Sequence, residues 1–185
     1  LEQCAAELEQ AWDGAVAENG FRFGVLFNTG NVARQTAAQI LQANLASIDE
    51  KYQIDVVGVP WPTYLRSFRT GQIPIAISGW LEVIHDPHNW VVPFTFGTYA
   101  GRQNLPDELK AEFQELVTAG VMAADPAERE QIYYELQQKY HDNAIQITLS
   151  QATGVRYERL WMKDWFFRVG QFGGYFYAYG LEGGE

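Results

Sequence analysis

Basic residues, cysteines and long apolar runs are all scarce in this sequence of 185 residues. The 13 Lys and Arg are outnumbered by 23 Asp and Glu, and the formal net charge is −10. This balance argues against a nucleic-acid-binding protein, whose surface needs a basic face. The single cysteine, Cys4, excludes an internal disulfide. No apolar run approaches the roughly 20 residues that span a bilayer, and LEQCAAELEQAW lacks the basic start and apolar core of a signal peptide.

What the sequence has in quantity is typical of a globular protein. Hydrophobic residues make up 47% of the chain and charged residues 19%, which is enough apolar material for a sizeable core. The length allows one domain, or one domain and part of another.

The first half of the chain alternates between strand and helix patterns. Residues 2–18 predict a helix with Trp12 on its apolar face, which Asn19-Gly20 ends. Two βαβ units follow, so we expect a parallel sheet with its first strand in the middle and with ligands at the carboxyl ends of the strands. The predicted strands are 21–28, 52–59 and 73–80, and the predicted helices lie within 29–48 and 61–71.

The second half is predicted to be helical and then extended. Apolar periodicity indicates helices over 105–120 and 125–144, the second of which starts with Asp125 as its cap. The alternating stretch IQITLS predicts a strand over 145–150. Residues 161–180 contain nine aromatic side chains and are too apolar for a solvated linker, so we expect them to cover another surface.

Motifs that carry chemistry receive little support. HDPH (85–88) contains metal-ligand residue types, but a zinc site needs three or four ligands, so an Asp86-Pro87 capped turn is favoured. NTGNVAR could hold an anion at a helix N-terminus, although an ordinary turn is favoured, with Arg34 on a solvated helix face. No serine lies in a nucleophile elbow. The sequence therefore predicts no catalytic residue, no metal and no cofactor.

Two tryptophans stand where predicted strands end. Trp61 follows the second strand and Trp80 follows the third. An exposed tryptophan offers a flat apolar platform with one hydrogen-bond donor, whereas core packing is the alternative use of the same side chain. Their shared place at strand exits favours ligand contact.

Several segments in order resemble the C-terminal lobe of the family 5 extracellular solute-binding proteins, the peptide-binding subunits of ABC importers. The resemblance runs from about residue 20 to residue 160. It is carried by AAQILQANL, VVGVPWPTYLRSFRTGQIPIAISGW, DPHN, DPAEREQIYYELQQKY and AIQITLS. No single motif is specific, but their order and spacing together are.

The resemblance implies a fold, a function and a set of partners. The fold is an α/β periplasmic-binding-protein-like lobe, with residues 1–160 as the lobe and 161–185 as an aromatic tail returning towards an N-terminal lobe. The function is capture of a solute in an inter-lobe cleft and delivery to a membrane ABC permease, without enzymatic activity. The full-length protein is expected to be a monomer, periplasmic or extracellular, with or without a lipid anchor. Members of the family carry peptides, opines, oligosaccharides or metal chelates.

The same resemblance implies ligand-binding residues, with two departures. Trp61, Trp80, Val83, Asn28 and His85 match positions that line the cleft. Peptide-binding members have an aspartate for the ligand's α-amino group where this chain has Val83, and Glu82 is expected to point to the opposite side. Dipeptide binders use an arginine before the long helix, in the region where this chain reads Asn28. We therefore expect a ligand that does not depend on a free α-amino group.

Two other classes of function stay open at this point. One is a small α/β hydrolase or transferase that uses the strand-end cleft, which would need a nucleophile or a general base there. The other is a protein-interaction module that uses the aromatic tail as its partner surface.

Overall fold

A computed structural model describes residues 1–151, 153, 155–166 and 179–181 of the chain. Its internal contacts divide the chain into two units, Leu1–Gly79 and Trp80–Glu185, called the first and the second unit below. The predicted boundary at residue 160 stays a prediction. Most of the aromatic tail, residues 167–178, lies outside the described residues.

The first unit is built on a parallel three-stranded sheet in the order β2-β1-β3, which confirms the prediction. β1 and β2 pair along eight residues each, from Phe21 opposite Tyr52 to Asn28 opposite Val59. The third strand is much shorter than the predicted 73–80, because only two of its residues pair with β1. Pro74 directly precedes it and has no amide hydrogen to donate to a ladder. The strands are β1 (Phe21–Asn28), β2 (Tyr52–Val59) and β3 (Ile75–Ala76).

Two crossover helices cover this sheet. α3 (Val32–Ile48) begins at Asn31, whose side chain accepts a hydrogen bond from the backbone N–H of Arg34 at 3.0 Å. α4 (Trp61–Arg69) has Pro62 in its first turn, where the missing amide hydrogen costs nothing. The buried core of the unit consists of Val16, Val25, Ala38, Leu45, Tyr52 and Ile54.

The helix predicted over residues 2–18 is interrupted, so that prediction was partly wrong. The structure has α1 (Glu2–Gln10) and α2 (Ala15–Asn19), separated by a turn in which Trp12, Asp13 and Gly14 all have positive φ, at 50°, 55° and 87°. Asp-Gly is a strong turn signal, and here it prevails over the apolar period. Trp12 is consequently exposed instead of facing the core.

The second unit is mainly helical. Its two long helices confirm the predictions, and they pack through Phe113, Val117, Tyr133 and Leu136. Two shorter helices were not predicted, because Pro93 inside one and Gly97 between them interrupt the sequence signal. The helices are α5 (Pro87–Thr95), α6 (Thr98–Arg102), α7 (Asp107–Met122) and α8 (Pro126–Asp142).

The strand predicted over 145–150 was wrong. Those residues have no regular structure, and Ile147 and Leu149 are exposed. A strand needs a neighbour for its backbone hydrogen bonds, and the described residues offer this stretch none. Further along, β4 (Met162–Lys163) and β5 (Gly180–Leu181) form a short antiparallel pair. No helix within the described residues has both the length and the apolarity needed to cross a membrane.

Candidate functional site

The carboxyl ends of β1 and β2 form one edge of the first unit's sheet. Asn28 and Val59 are opposite each other as the last residues of the two strands. The N–H of Thr29 donates to the carbonyl oxygen of Val59 at 2.9 Å, so the pairing is extended into the turn. Gly30 then takes a φ of 86°, a left-handed value that favours glycine, and the chain enters α3.

Arg34 projects to this edge, although the sequence placed it on a solvated helix face. It is half-buried, and its Nη1 donates to Oδ1 of Asn28 at 2.8 Å. Its Cζ lies 5.5 Å from the ring centre of Trp61 and 5.4 Å from that of Tyr64. All of these partners are uncharged, and Arg34 forms no ion pair with any described carboxylate. The site therefore holds a positive charge that an anion could meet.

Trp61 forms the open side of this arrangement. Its ring stacks on Tyr64 with centres 5.7 Å apart and planes at 16°, and the residue is 47% exposed. Tyr64 is buried, and its hydroxyl donates to the carbonyl oxygen of Ile77 at 2.7 Å. Because Tyr64 is fixed at both ends of its side chain, it holds Trp61 and Arg34 in place as a rigid base.

In the second unit, Trp80 is packed edge-on against two other aromatic rings. Its ring centre lies 5.7 Å from that of Phe94 and 5.6 Å from that of Tyr99, with interplanar angles of 81° and 86°. Such T-shaped contacts are favourable because the ring edge and the ring face carry opposite partial charges. Trp80 is half-buried, so part of its side chain packs within the unit and part remains accessible to solvent.

Asn89, in the first turn of α5, closes the segment that precedes this helix; the segment from residue 80 together with the first turn of α5 is called the 80–90 loop below. Its Oδ1 accepts from the backbone N–H of Val83 at 3.1 Å and from Nε1 of Trp80 at 3.4 Å. Asp86 caps α5 by accepting from the N–H of His88 at 2.8 Å. The Asp86-Pro87 turn expected from the sequence is thus the start of a helix.

Glu82 turns towards α5. Its Oε2 accepts from Nε1 of Trp90 at 2.8 Å, and its Oε1 lies 3.0 Å from Nδ1 of His85. The hydrogen bond from Trp90, followed by that of His85, lowers the pKa of Glu82, so its carboxylate is held in the charged form. The Glu82 side chain is 22% exposed, whereas that of His85 is 75% exposed.

Asp86 also forms an ion pair with a residue that is distant in the sequence. Nη2 of Arg129 lies 2.9 Å from both of its carboxylate oxygens. Burial raises the pKa of Asp86, but the hydrogen bonds from the His88 backbone and from Arg129 outweigh it, and the pKa is lowered overall. The same bond to Asp86 raises the pKa of Arg129.

The structure brings the residues suggested by the sequence into two groups. Asn28 and Trp61 meet around Arg34 in the first unit, while Trp80, Val83 and His85 lie in the 80–90 loop of the second. Arg34 was missed as a site residue, and the signal for it was its place one turn after a strand-to-helix junction. No cluster of three or more metal-ligating side chains occurs among the described residues.

Comparisons with known proteins agree with this fold. Over 115 residues the chain is 28% identical to di/tripeptide-binding protein 4 of Pseudomonas aeruginosa (strain UCBPP-PA14), which covers 62% of this chain and 21% of that protein. It is 23% identical over 137 residues to heme-binding protein A of Haemophilus influenzae (strain ATCC 51907 / DSM 11121 / KW20 / Rd), covering 74% of this chain and 25% of that one. The chain thus spans about a fifth to a quarter of the length of these curated relatives. No protein-family model matches it.

Solved structures show a similar fold over part of their length. The periplasmic binding protein DppA of Helicobacter pylori, in complex with peptide STSA, has a TM-score of 0.64 at 24% identity, covering 78% of this chain and 27% of that chain. HbpA2 of Haemophilus parasuis has a TM-score of 0.68 at 19% identity, covering 98% of this chain and 35% of that one. The resemblance to family 5 solute-binding proteins and the periplasmic-binding-protein-like α/β fold are confirmed, and these relatives are binding proteins, not enzymes.

Proposed function

We propose that this chain is part of a periplasmic solute-binding protein that captures a carboxylated solute and delivers it to a membrane ABC permease. One observation carries the proposal: Arg34 is fixed at the strand-end edge by Asn28, Trp61 and Tyr64, and no described carboxylate neutralises it. The comparisons support the transport role through the kind of protein that resembles this chain.

Electrostatics favour an anion at Arg34. A guanidinium presents several N–H donors in a planar fork that matches a carboxylate. Here one nitrogen donates to Asn28, and the centres of two aromatic rings lie 5.5 and 5.4 Å from Cζ, which leaves further donors for a ligand. The chain has a net charge of −10, which disfavours the binding of anions in general. A half-buried cation without a carboxylate partner makes the potential locally favourable for an anion at this edge.

The ligands for which two of the relatives are named share this chemistry. Di- and tripeptides and heme all carry carboxylates, and they are what two of the relatives are named for. Trp61 adds an apolar face beside the guanidinium, so we infer a solute with an anionic group next to an apolar or planar part. The full-length protein is proposed to act as a monomer in the periplasm, with or without a lipid anchor.

The proposal is tested by identifying the solute that the protein still carries when it is purified from the cell. The protein is purified in its full natural length from periplasmic extract, and its bound solute is released by denaturation and identified by mass spectrometry. Arg34→Ala is compared with Arg69→Ala, which removes an exposed arginine in the last turn of α4. We expect the wild type and Arg69→Ala to carry a carboxylated solute and Arg34→Ala to lose it.

Calorimetry extends the test to defined probes, namely the dipeptide Met-Leu, its C-terminal amide, and heme. We expect Arg34→Ala to lower the affinity for a carboxylate probe by about 10- to 100-fold, provided that the wild type binds that probe, because charge-assisted hydrogen bonds are among the stronger ones. A native solute without a carboxylate, or one kept by Arg34→Ala as fully as by Arg69→Ala, contradicts the proposal.

A further inference from the structure

Asn28 occupies a fixed point at the strand-end edge of the first unit. It is the last residue of β1, opposite Val59, and its carbonyl oxygen accepts from the N–H of Asn31 at 3.1 Å. Its backbone is therefore held by the sheet on one side and by the turn into α3 on the other. The half-buried side chain starts from a position that the frame of this unit determines.

The bond to Arg34 fixes the direction in which the Asn28 amide faces. A guanidinium has donors only, so the amide must turn its oxygen to it, and Nη1 of Arg34 donates to Oδ1 of Asn28 at 2.8 Å. Arg34 lies in the first turn of α3, where its backbone N–H donates to the side chain of Asn31 at 3.0 Å. The guanidinium is thus tied to the end of β1, and the backbone of the same residue is tied to the helix cap.

An amide oxygen directs the guanidinium without neutralising it. A carboxylate in the same place would form a charge-assisted pair, which is the stronger bond and which would cancel the charge that an anionic solute needs. The rings of Trp61 and Tyr64 near Cζ are uncharged as well. All of these partners hold Arg34 in place and leave its positive charge available.

We propose that Asn28 is a positioning residue for anion specificity, which acts on the solute through Arg34 by directing the guanidinium and by leaving it without a counter-charge. This role differs from the direct ligand contact that the family resemblance implies for Asn28. The inference rests on the proposed function, because it concerns the same site, and it names the residue whose lack of charge makes that site selective for anions. A negative charge at position 28 closes the site from within.

The first test measures the chemical reactivity of Arg34. Phenylglyoxal modifies arginine through its uncharged form, so a carboxylate that pairs with the guanidinium and raises its pKa slows the modification. The full-length protein is stripped of its solute by unfolding and refolding and is treated with this reagent, and the modified fractions of Arg34 and Arg69 are measured by mass spectrometry. We expect Asn28→Asp to lower the rate at Arg34 at least about tenfold, with the rate at Arg69 unchanged.

Asn31→Asp is the matched control for that measurement. It adds the same charge in the same turn, but the Asn31 side chain caps the backbone of α3 and is not bonded to the guanidinium, and aspartate is an equally good cap. We expect it to change the rate at Arg34 much less than Asn28→Asp does. A rate that Asn28→Asp leaves unchanged, or that both variants lower equally, overturns the inference.

Asn28→Ala removes the acceptor without adding a charge. Because the lost hydrogen bond favoured the charged guanidinium, the rate at Arg34 should rise. This variant keeps the test decisive where Asn28→Asp does not refold, since a raised rate supports the inference and an unchanged or lowered rate contradicts it.

The second test measures the solute that each variant carries from the periplasm. The full-length variants are purified without unfolding, and the solute found in the wild type is quantified by mass spectrometry. We expect at least about a tenfold lower amount in Asn28→Asp, a smaller loss in Asn28→Ala, and no loss in Asn31→Asp. An equal loss in both Asn28 variants shows that the amide itself contacts the solute, and it overturns the inference. Where the wild type carries no solute, the rates at Arg34 alone decide.

The inference and the proposed function fail in different ways. A solute kept by both Arg34→Ala and Asn28→Asp contradicts the proposed function. A solute lost by Arg34→Ala but kept by Asn28→Asp contradicts the inference alone. A solute kept by Arg34→Ala and lost by Asn28→Asp contradicts both, because Asn28 then acts by a route other than Arg34.

Discussion

Arg129 holds Asp86 across 43 residues of sequence, with Nη2 at 2.9 Å from both carboxylate oxygens. The same guanidinium donates through Nε to the carbonyl oxygen of Gly120 at 3.0 Å and lies 4.9 Å from the ring centre of Tyr133. One side chain thus connects the start of α5 with both α7 and α8. The end of the 80–90 loop is therefore anchored to the core of the second unit.

This anchor predicts a pH dependence of stability. The folded-state pKa of Asp86 is lowered, so its contribution is complete above the ordinary aspartate pKa of about 3.9 and is lost as the pH falls through the lower folded-state value. Asp86→Asn removes this contribution. We expect the difference in unfolding free energy between wild type and Asp86→Asn, measured by urea denaturation, to shrink as the pH is lowered from about 6 to 3.

Asp55→Asn is the control for that experiment. Asp55 pairs with Arg22 at 2.9 Å, but both side chains are at least half exposed, and exposed pairs contribute little. A loss of stability in Asp55→Asn as large as that in Asp86→Asn at neutral pH contradicts the role assigned to Asp86.

The contact between α7 and α8 predicts an unusual effect of an alanine. Gly120 is inside α7, where alanine is normally better by about 1 kcal/mol. A Cβ at this position would meet Cε2 of Tyr133 at 2.9 Å, and Tyr133 is buried. We expect Gly120→Ala to lower the unfolding free energy by about 1–3 kcal/mol through overpacking, measured by chemical denaturation. Gly101→Ala in α6, where a Cβ meets nothing within 4 Å, should be neutral or slightly stabilising.

Removal of one hydroxyl tests the base of the Arg34 site. Tyr64→Phe leaves the carbonyl oxygen of Ile77 without its 2.7 Å donor, which we expect to lower the unfolding free energy by about 1 kcal/mol. Tyr134→Phe removes an exposed hydroxyl that donates to Glu130 at 2.8 Å and should change stability much less. Equal losses in the two variants, measured by thermal denaturation, would show that the bond to Ile77 has no special weight.

Exposed apolar residues near the end of the chain predict dye binding. Expressed as these 185 residues, the protein should enhance the fluorescence of a hydrophobic dye such as anilinonaphthalene sulfonate. Replacement of three exposed residues by serine should lower the signal without changing the far-ultraviolet circular dichroism, and an unchanged signal argues against these side chains as the binding site of the dye. The residues are Ile147, Leu149 and Leu160.

The parts of the fold that sequence predicted correctly depend on local signals. β1, β2 and the cap at Asp125 follow from alternation and capping chemistry within a few residues. The wrong strand at 145–150 shows the limit, since alternation there marks a strand only when a partner strand exists. Arg34 shows a second limit, because its direction depends on Asn28 and on rings of α4 that are distant in sequence.

The unequal pairing of β1 has a dynamic consequence. One side of β1 is joined to β2 along its whole length, whereas the other holds only Ile75 and Ala76. Opening β3 requires the loss of a few hydrogen bonds and leaves the β1–β2 pair intact, so its amides should exchange with deuterium well before that pair does. A sheet built in this way has one stiff side and one compliant side. The short β3 pairing can therefore open and close again without the β1–β2 frame being rebuilt.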